Sequence, residues 1–364
     1  MTCWKVTLTP TRPYFFGTDK RFSREGENNP YGSLYYISGN TLPTQSAVLG
    51  ALRYLLLPYK EYDLNTEKAD QNRKMIGAES FRPDAGKKLD FGWIKSISPI
   101  FITDDLGNTY LPTPLDHDCA AKDVNTKETP VYAPFTEYTP VETPEGVKLF
   151  TDKFDVKEGL PSSFICLETG RLTGDMFSSV LRVGNNRQQN EDGFFKRKYQ
   201  QLKQGFSFSV YVELDEKFSS PTDRVVMMGQ GRTPFTVRFD KKENDLITLS
   251  ERCFGKKDFL IPYDKVICLS DTFLPDGSND CYDPYKGTFF AVTDTIEYRS
   301  STADSKGRVT RGESLYRLLK AGSIFLTETG KGQEWAAQFN KVENVSTLGY
   351  NTLAVIHGKE NEKQ

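Results

Sequence analysis

TLPTQSAVLGALRYLLL, running from Thr41 to Leu57, is the clearest helix in this sequence. Val48, Leu49, Leu52, Leu55 and Leu56 recur at three- and four-residue steps, which lays one apolar stripe along a helix. Thr44 is placed to cap the first turn, and Pro58, lacking a backbone donor, stops the last. Ahead of the helix, Cys3–Thr9 alternates Trp4, Val6 and Leu8 with polar residues, the two-residue period of a strand. A strand and an amphipathic helix of this kind bury their apolar sides against a common core, so the opening points to an α+β layer.

Working outward, Gly17–Gly32 is polar and glycine-rich, and Leu34–Ile37 is a short apolar piece. Tyr59–Asp90 is charged and weakly patterned and reads as an insertion. Trp93–Phe101 and Thr109–Leu111, separated by DDLGN, predict a hairpin with its turn at Gly107–Asn108. Pro112–Leu160, rich in Pro, Thr and Glu, reads as a long excursion or linker. After Gly174 strands and turns dominate. Phe194–Leu202 and Phe206–Leu214 predict a hairpin around Lys203–Gly205. Further strands are expected at Arg224–Met228, Thr233–Phe239, Val266–Leu269, Thr288–Tyr298, part of Ser314–Thr327, and Thr352–His357, with a short helix at Gln333–Phe339. The order fits two α+β sandwich units, and 364 residues suffice for two such cores.

Composition narrows the class. A charged fraction of 26% with 13% aromatics suits a folded chain rather than a disordered one. The formal net charge of −2 means that any nucleic-acid surface must be a local basic patch on an otherwise acidic body. No run of about 18 apolar residues is present, so no membrane helix is expected. The six cysteines are scattered singly without a CxxC pair, the usage of reduced thiols rather than of disulfides or a zinc site. A soluble cytoplasmic protein without metal or cofactor is the expectation.

Little in the sequence supports catalysis. GxSxG, HExxH, Walker A and GxGxxG patterns are all missing. The two histidines are His117, between Asp116 and Asp118, and His357, at the end of an apolar strand. An acidic loop holding one His is the ordinary reading of the first, and a strand-end residue that of the second. Two other stretches carry chemistry suited to RNA. In MMGQGRTPF (Met227–Phe235), Gly229 and Gly231 flank Gln230, with Arg232 next. Such a turn either joins two strands tightly or offers backbone N–H groups to a phosphate. Lys196, Arg197, Lys198 and Lys203 interleave with Phe194, Phe195 and Tyr199, the mixture that holds a single strand by charge and stacking. Strand geometry puts Lys196 and Lys198 on one face and Phe195, Arg197 and Tyr199 on the other. A solvated edge hairpin has the same pattern. QGFSFSVY (Gln204–Tyr211) partly echoes an RNA-binding strand motif, but Phe206, Phe208, Val210 and Val212 form one apolar face and read as core.

In order along the chain, several segments resemble one family, the third subunit of the Cmr (type III-B) CRISPR effector complex, of the RAMP superfamily. PYFFG followed by LPTQSAVLGALR is similar to the entry strand and first helix of RAMP proteins. FITDDLGNTYLPTPLD is similar to the family's strand and P-x-P-x-D segment, and LRVGNNRQQNEDGFFKRKYQQLKQGFSFSVYVEL to its Arg-Val-Gly turn and glycine-led hairpin. VVMMGQGRTPFTVRF resembles its glycine-rich turn, with Gly229-Gln230-Gly231 where many members have Gly-Gly. LLKAGSIFLTETG and STLGYNTLAVI resemble its closing strands. Tyr59–Asp90 and Thr113–Leu160 are poorly covered.

The resemblance implies two ferredoxin-like (RRM-like) domains, at 1–175 and 176–364, with insertions at about 59–90 and 113–160. It implies a non-catalytic subunit that grips the 5′ tag of a CRISPR RNA. That subunit bridges the large polymerase-like subunit to the backbone subunit and meets target RNA only indirectly. By position, the implied RNA contacts are Ser46 and Arg53, Arg182 and Arg187, Gly229, Gln230, Gly231 and Arg232, and Gly349, Tyr350 and Asn351. Ser46 lies at a helix start, where N–H groups favour phosphate, while Arg53 equally suits a structural ion pair. A wedge between RNA bases is expected from Arg12–Gly32, with Lys20, Arg21 and Arg24. Two rivals remain. One is a RAMP-type RNA-processing endoribonuclease using His117 or His357; the other is a strand-rich protein- or carbohydrate-binding module.

Overall fold

Trp4, Val6 and Leu8 share one side of the Thr2–Pro10 strand and are buried together with Val48, Leu49, Leu52, Leu55 and Leu56 of the Gln45–Leu56 helix. Both sequence periods are thus satisfied by a single core. The Thr44 hydroxyl accepts from the Ala47 N–H at 3.2 Å, capping the helix as expected. The computed structural model describes residues 1–17, 35–57, 67–118, 130–154, 159–185, 194–219, 224–274, 283, 285–303, 309–312, 314–341 and 343–359.

Among these residues the largest sheet has nine strands. Across it run Val225–Met228, Thr233–Lys241, Thr2–Pro10, Phe206–Leu214, Phe101–Asp104, Thr109–Pro112, Phe164–Cys166 and Leu172–Thr173, and Ile94–Ile97 also pairs with Phe206–Leu214. Its strands come from both sides of position 175. A second sheet of four strands has the order Thr288–Val292, Ile324–Thr327, Asp264–Cys268, Leu353–Ile356. Both contain one pattern. Numbered by position in the chain, the strands Thr233–Lys241, Thr2–Pro10, Phe206–Leu214 and Phe101–Asp104 lie in the order 4-1-3-2, all antiparallel. Read from Leu353–Ile356, the second sheet is also 4-1-3-2 and antiparallel. The architecture is α+β, rich in strands and poor in helices.

Several expectations need correction. Phe194–Leu202 and Phe206–Leu214 are strands with the expected bounds, but they do not form a hairpin. Both edges of Phe206–Leu214 are taken, by Thr2–Pro10 on one side and by Ile94–Ile97 and Phe101–Asp104 on the other. Phe194–Leu202 therefore pairs antiparallel with Phe177–Asn185 and parallel with Tyr35–Ser38, in a separate three-stranded sheet. The expected strand Trp93–Phe101 is two strands, because Pro99 withholds a donor where the chain bends. The hairpin to Thr109–Pro112 forms as read, with the Gly107 N–H donating to the Asp104 carbonyl.

The described parts of both supposed insertions pack into the protein. Within 59–90, Glu67–Ile76 is a helix, and Phe81 and Leu89 enter the first core. The described part of Pro112–Leu160 docks on the body of the protein rather than running free as a linker. Tyr132 and Phe135 are buried in a second core with Phe101, Ile165, Phe254 and Ile267, and Thr139–Thr143 pairs with Gly146–Phe150. Its anchor is the ion pair of Asp116 and Lys265, 2.6 Å apart and almost wholly buried, with the Tyr132 hydroxyl donating to Asp116 at 2.7 Å. Polar composition hid this docking, because a few buried side chains fix a long polar segment. The helix Leu246–Phe254, also not expected, buries Leu246, Cys253 and Phe254. No helix among the described residues is long and apolar enough to cross a membrane.

Candidate nucleic-acid interface

The glycine turn is built by the hairpin of Val225–Met228 with Thr233–Lys241, whose register closes at Met228 opposite Thr233. Four residues must reverse the chain there, and two adopt left-handed backbone: Gly229 at φ +71° and Arg232 at φ +43°. The Arg232 N–H donates to the Gly229 carbonyl at 3.1 Å. The turn sits on the Tyr14–Phe16 segment, the Gln230 N–H donating to the Phe15 carbonyl at 3.0 Å. A β-carbon on Gly229 would lie 2.5 Å from that same carbonyl oxygen, so the close approach requires glycine there. The Gln230 side chain lies over Gly17. Arg12 reaches the Arg232 carbonyl from outside.

Beside the turn stands the basic and aromatic ribbon. In the register of Phe177–Asn185 with Phe194–Leu202, Arg182 is opposite Arg197. The Arg182 guanidinium covers the Tyr199 ring at 4.6 Å, and Arg197 lies 5.7 Å from the Phe15 ring, which itself packs on Tyr199 at 5.5 Å. Arg197 and Tyr199 thus share a face, as the alternation predicted, and Arg182 joins them from the neighbouring strand. Gly231 closes the gap to the turn: a β-carbon on it would touch Tyr199 at 3.4 Å. Lys196 and Lys198 go to the other face, opposite the exposed Val183 and Leu181.

Past Gln230 the surface drops into a cleft of about 560 Å³. Ser46, Arg53, Gln230 and Tyr350, four residues singled out in sequence, line it together. Asn40, Ser80, Phe81, Asp271, Tyr298 and Arg299 complete its polar and aromatic wall; sequence reasoning missed these. Arg53 donates to the Glu79 carbonyl at 2.8 Å and lies 5.2 Å from the Phe91 ring, so it braces the helix against the following segment. Tyr350 stacks on Phe81 at 5.7 Å. Its hydroxyl lies against Ser46 and Tyr298 without a hydrogen bond of ordinary geometry. Burial raises Tyr350 well above the usual phenol range and also raises Tyr298, keeping both as donors through neutral pH. Burial likewise pushes the Asp271 carboxyl up, against the opposing N–H of Ala321 and the charge of Lys320.

Gly349 and Asn351 hold the chain beneath this cleft. Gly349, at φ +79°, packs so closely on Ser98 that a β-carbon would lie 2.4 Å from its carbonyl. Asn351, itself left-handed at φ +54°, donates to the carbonyls of Phe339 and Phe273 and accepts from the Phe273 N–H. Arg187 and the expected wedge residues Lys20, Arg21 and Arg24 lie outside the described residues.

Both histidines have polar contacts within the protein. His117 Nδ1 accepts from the Ala133 N–H at 3.2 Å. His357 lies 3.4 Å from Asp264, whose carboxylate also takes the N–H groups of Gly330, Gly332 and Gly358. Burial pushes the thiols of Cys253 and Cys268 up to about 11 and about 12, so neither is a thiolate near neutral pH. No group of three His, Cys, Asp or Glu suited to a metal ion occurs among the described residues.

One family matches the chain over nearly its whole length. The family model described as CRISPR-associated protein (Cas_Cmr3) matches residues 6–357. Among solved structures, the chain is similar to one in the cryo-EM structure of the type III-B Cmr-beta bound to cognate target RNA. Identity is 14%, coverage 97% of this chain and 99% of that one, and the TM-score 0.52, a likeness of fold alone. A second state of that assembly, with AMPPnP as well, gives 12% identity over 97% and 99% of the two chains at a TM-score of 0.49. A chain of the Csm3-Csm4 subcomplex of the type III-A interference complex gives 11% over 89% and 92%, at 0.37. No curated protein matches significantly. With a match spanning nearly the whole length, this chain belongs to the Cas_Cmr3 family and is a type III CRISPR effector subunit of the Cmr kind.

Proposed function

We propose that this subunit is non-catalytic and grips the 5′ tag of a CRISPR RNA within its complex, in antiviral defence. The observation that carries the reading is the continuity of one surface. Arg182, Arg197 and Tyr199 lead to the Gly229–Arg232 turn, and Gln230 leads from the turn into the cleft with Ser46 and Arg53. Guanidinium groups over an aromatic face hold phosphate while a base stacks, and a glycine turn admits a backbone closely. Gly349 and Asn351 shape the cleft from below, and Tyr350 and Ser46 meet the RNA at its floor.

The repeated 4-1-3-2 antiparallel order supports reading both sheets as ferredoxin-like units. Sheet membership supports placing the division between Lys241 and Asp264 rather than at 175/176. The acidic body, at net charge −2, suits a subunit whose remaining surface meets protein: the large polymerase-like subunit on one side and the backbone subunit on the other. Target RNA is then met only through the guide. The ties on His117 and His357 favour this reading over a processing endoribonuclease.

The test is to co-express the chain with its genomic neighbours, purify through a tag on it, and sequence the bound RNA. Recovery of RNAs with one uniform 5′ tag, lost on changing Gly231 and Arg232, is the expected result. A preparation with neither RNA nor partner subunits overturns the proposal.

A further inference from the structure

The side of the nine-stranded sheet away from the Gln45–Leu56 helix carries a second polar site, apart from the proposed RNA path. Because Trp4, Val6 and Leu8 face the helix, Lys5, Thr7 and Thr9 face the other way. Register sets Lys5 between Tyr211 and Asp240, Thr7 between Ser209 and Arg238, and Thr9 between Ser207 and Thr236. Lys5, Thr7, Thr9, Ser207, Thr236 and Arg238 line a pocket of about 410 Å³ together with Thr103 and, at its rim, Asp104 and Asp105.

Most hydroxyls on this face satisfy one another. Thr9 pairs with Ser207 at 2.6 Å, and Thr103 with Ser209 at 2.8 Å. Two groups do not. Lys5 is only 9% exposed, and among the described residues its ammonium has no hydrogen bond or ion pair, only the Phe101 ring at 5.8 Å. Thr7 is 8% exposed, and its buried hydroxyl has no hydrogen-bond partner among the described residues. The carboxylates nearest Lys5 are engaged elsewhere: Asp240 by Arg238 at 2.7 Å, and Asp245 by the Tyr211 hydroxyl at 2.6 Å and by Lys242 at 3.6 Å. Burial first, then repulsion from Lys242 and Arg238, depresses the Lys5 amine, and the attraction of Asp245 and Asp240 does not cancel this. The Lys5 ammonium opens onto the pocket, and a largely desolvated cation that the described residues leave unpaired favours an anion there.

We propose that this pocket binds the phosphate group of a small ligand, with Lys5 as counter-charge, Thr7 as hydroxyl donor and Arg238 at the mouth. Asp104 and Asp105 at the rim repel a polyanion. The bounded volume and this acidic rim together favour inorganic phosphate or a mononucleotide over a nucleic-acid strand.

The test titrates the full chain with inorganic phosphate and with AMP by calorimetry, alongside Lys5→Met and Thr7→Val variants. Saturable binding is expected, weakened about tenfold or more by Lys5→Met, as for loss of one charge-assisted hydrogen bond, and less by Thr7→Val. Tighter binding of AMP than of phosphate identifies the nucleotide as the ligand class, and equal affinities identify phosphate alone. If Lys5→Met fails to fold, Arg238→Gln carries the same comparison. No binding of either probe, or binding that both variants leave unchanged, overturns the proposal. So does loss of a partner subunit from the Lys5→Met complex without phosphate binding by the parent, which would assign Lys5 to a partner's carboxylate.

Discussion

Gly229 and Gly231 look equivalent in sequence, two glycines around Gln230, but their geometry separates them by several kcal/mol. At Gly229 an alanine methyl would sit 2.5 Å from the Phe15 carbonyl oxygen, on a backbone at φ +71°. The left-handed conformation alone costs an L-residue about 1–2 kcal/mol. Relieving the contact means lifting the turn off the Tyr14–Phe16 segment, which weakens the Gln230 to Phe15 hydrogen bond by about another 1 kcal/mol. Gly229→Ala should therefore destabilise the chain by about 2–3 kcal/mol. At Gly231 the backbone is not left-handed, and the nearest atom to a methyl is Tyr199 Cε1 at 3.4 Å, ordinary contact. Gly231→Ala should be neutral or stabilising by about 0.4–1 kcal/mol, through loss of unfolded-state freedom. The assay is urea unfolding of the full chain, comparing midpoints at unchanged slope. The same two variants, taken into the assembled complex, report on RNA. There Gly231→Ala should lower RNA retention while leaving stability intact, since its methyl narrows the gap between the turn and Tyr199. Equal destabilisation by both alanines, or a larger loss from Gly231→Ala, refutes the reasoning.

Three further outcomes follow from the geometry. Removing one member of the buried Asp116–Lys265 pair, by Lys265→Met, should cost about 3–5 kcal/mol in the same unfolding assay, because Asp116 is left charged and buried. Arg182→Ala and Arg197→Ala should each lower the salt slope of RNA binding by the complex by about 1, one phosphate contact apiece, and Tyr199→Leu should cost about 1–3 kcal/mol of RNA affinity through lost stacking. Thr44→Ala, which removes the cap on the Gln45–Leu56 helix, should cost about 1 kcal/mol, read from thermal or urea unfolding.

Local periodicity carried most of the elements. The 3.6-residue stripe around Leu52 and the alternation at Trp4, Val6 and Leu8 placed the first core, and most later strands fell where β-rich runs sit between turn residues. Pairing was not legible. Phe194–Leu202 and Phe206–Leu214, three residues apart, read as partners because nothing local records that Thr2–Pro10 already occupies one edge of the second strand. The docking of Pro112–Leu160 was hidden for a similar reason: the Asp116 to Lys265 pair spans 149 residues. In the candidate site, Ser46, Arg53, Gln230 and Tyr350 were found by family resemblance and do converge on one cleft. Asn40, Asp271, Tyr298 and Arg299 were missed, because each becomes a wall residue only through the packing of distant strands. Arg197 and Tyr199 carried a visible signal in their basic and aromatic interleaving. Asn351 looked like a contact residue in sequence, yet three hydrogen bonds to Phe273 and Phe339 give its side chain a packing role.

The central claim is that guide RNA runs from the Tyr199 face across the glycine turn into the Ser46 cleft. The most direct measurement is photocrosslinking of the assembled complex carrying 4-thiouridine-substituted guide RNA, with the attachment sites on this chain identified by mass spectrometry. The account predicts crosslinks from the 5′ tag to peptides holding Arg182, Tyr199, Gln230 and Ser46. Crosslinks confined to other subunits, or falling on this chain only away from those peptides, would contradict it.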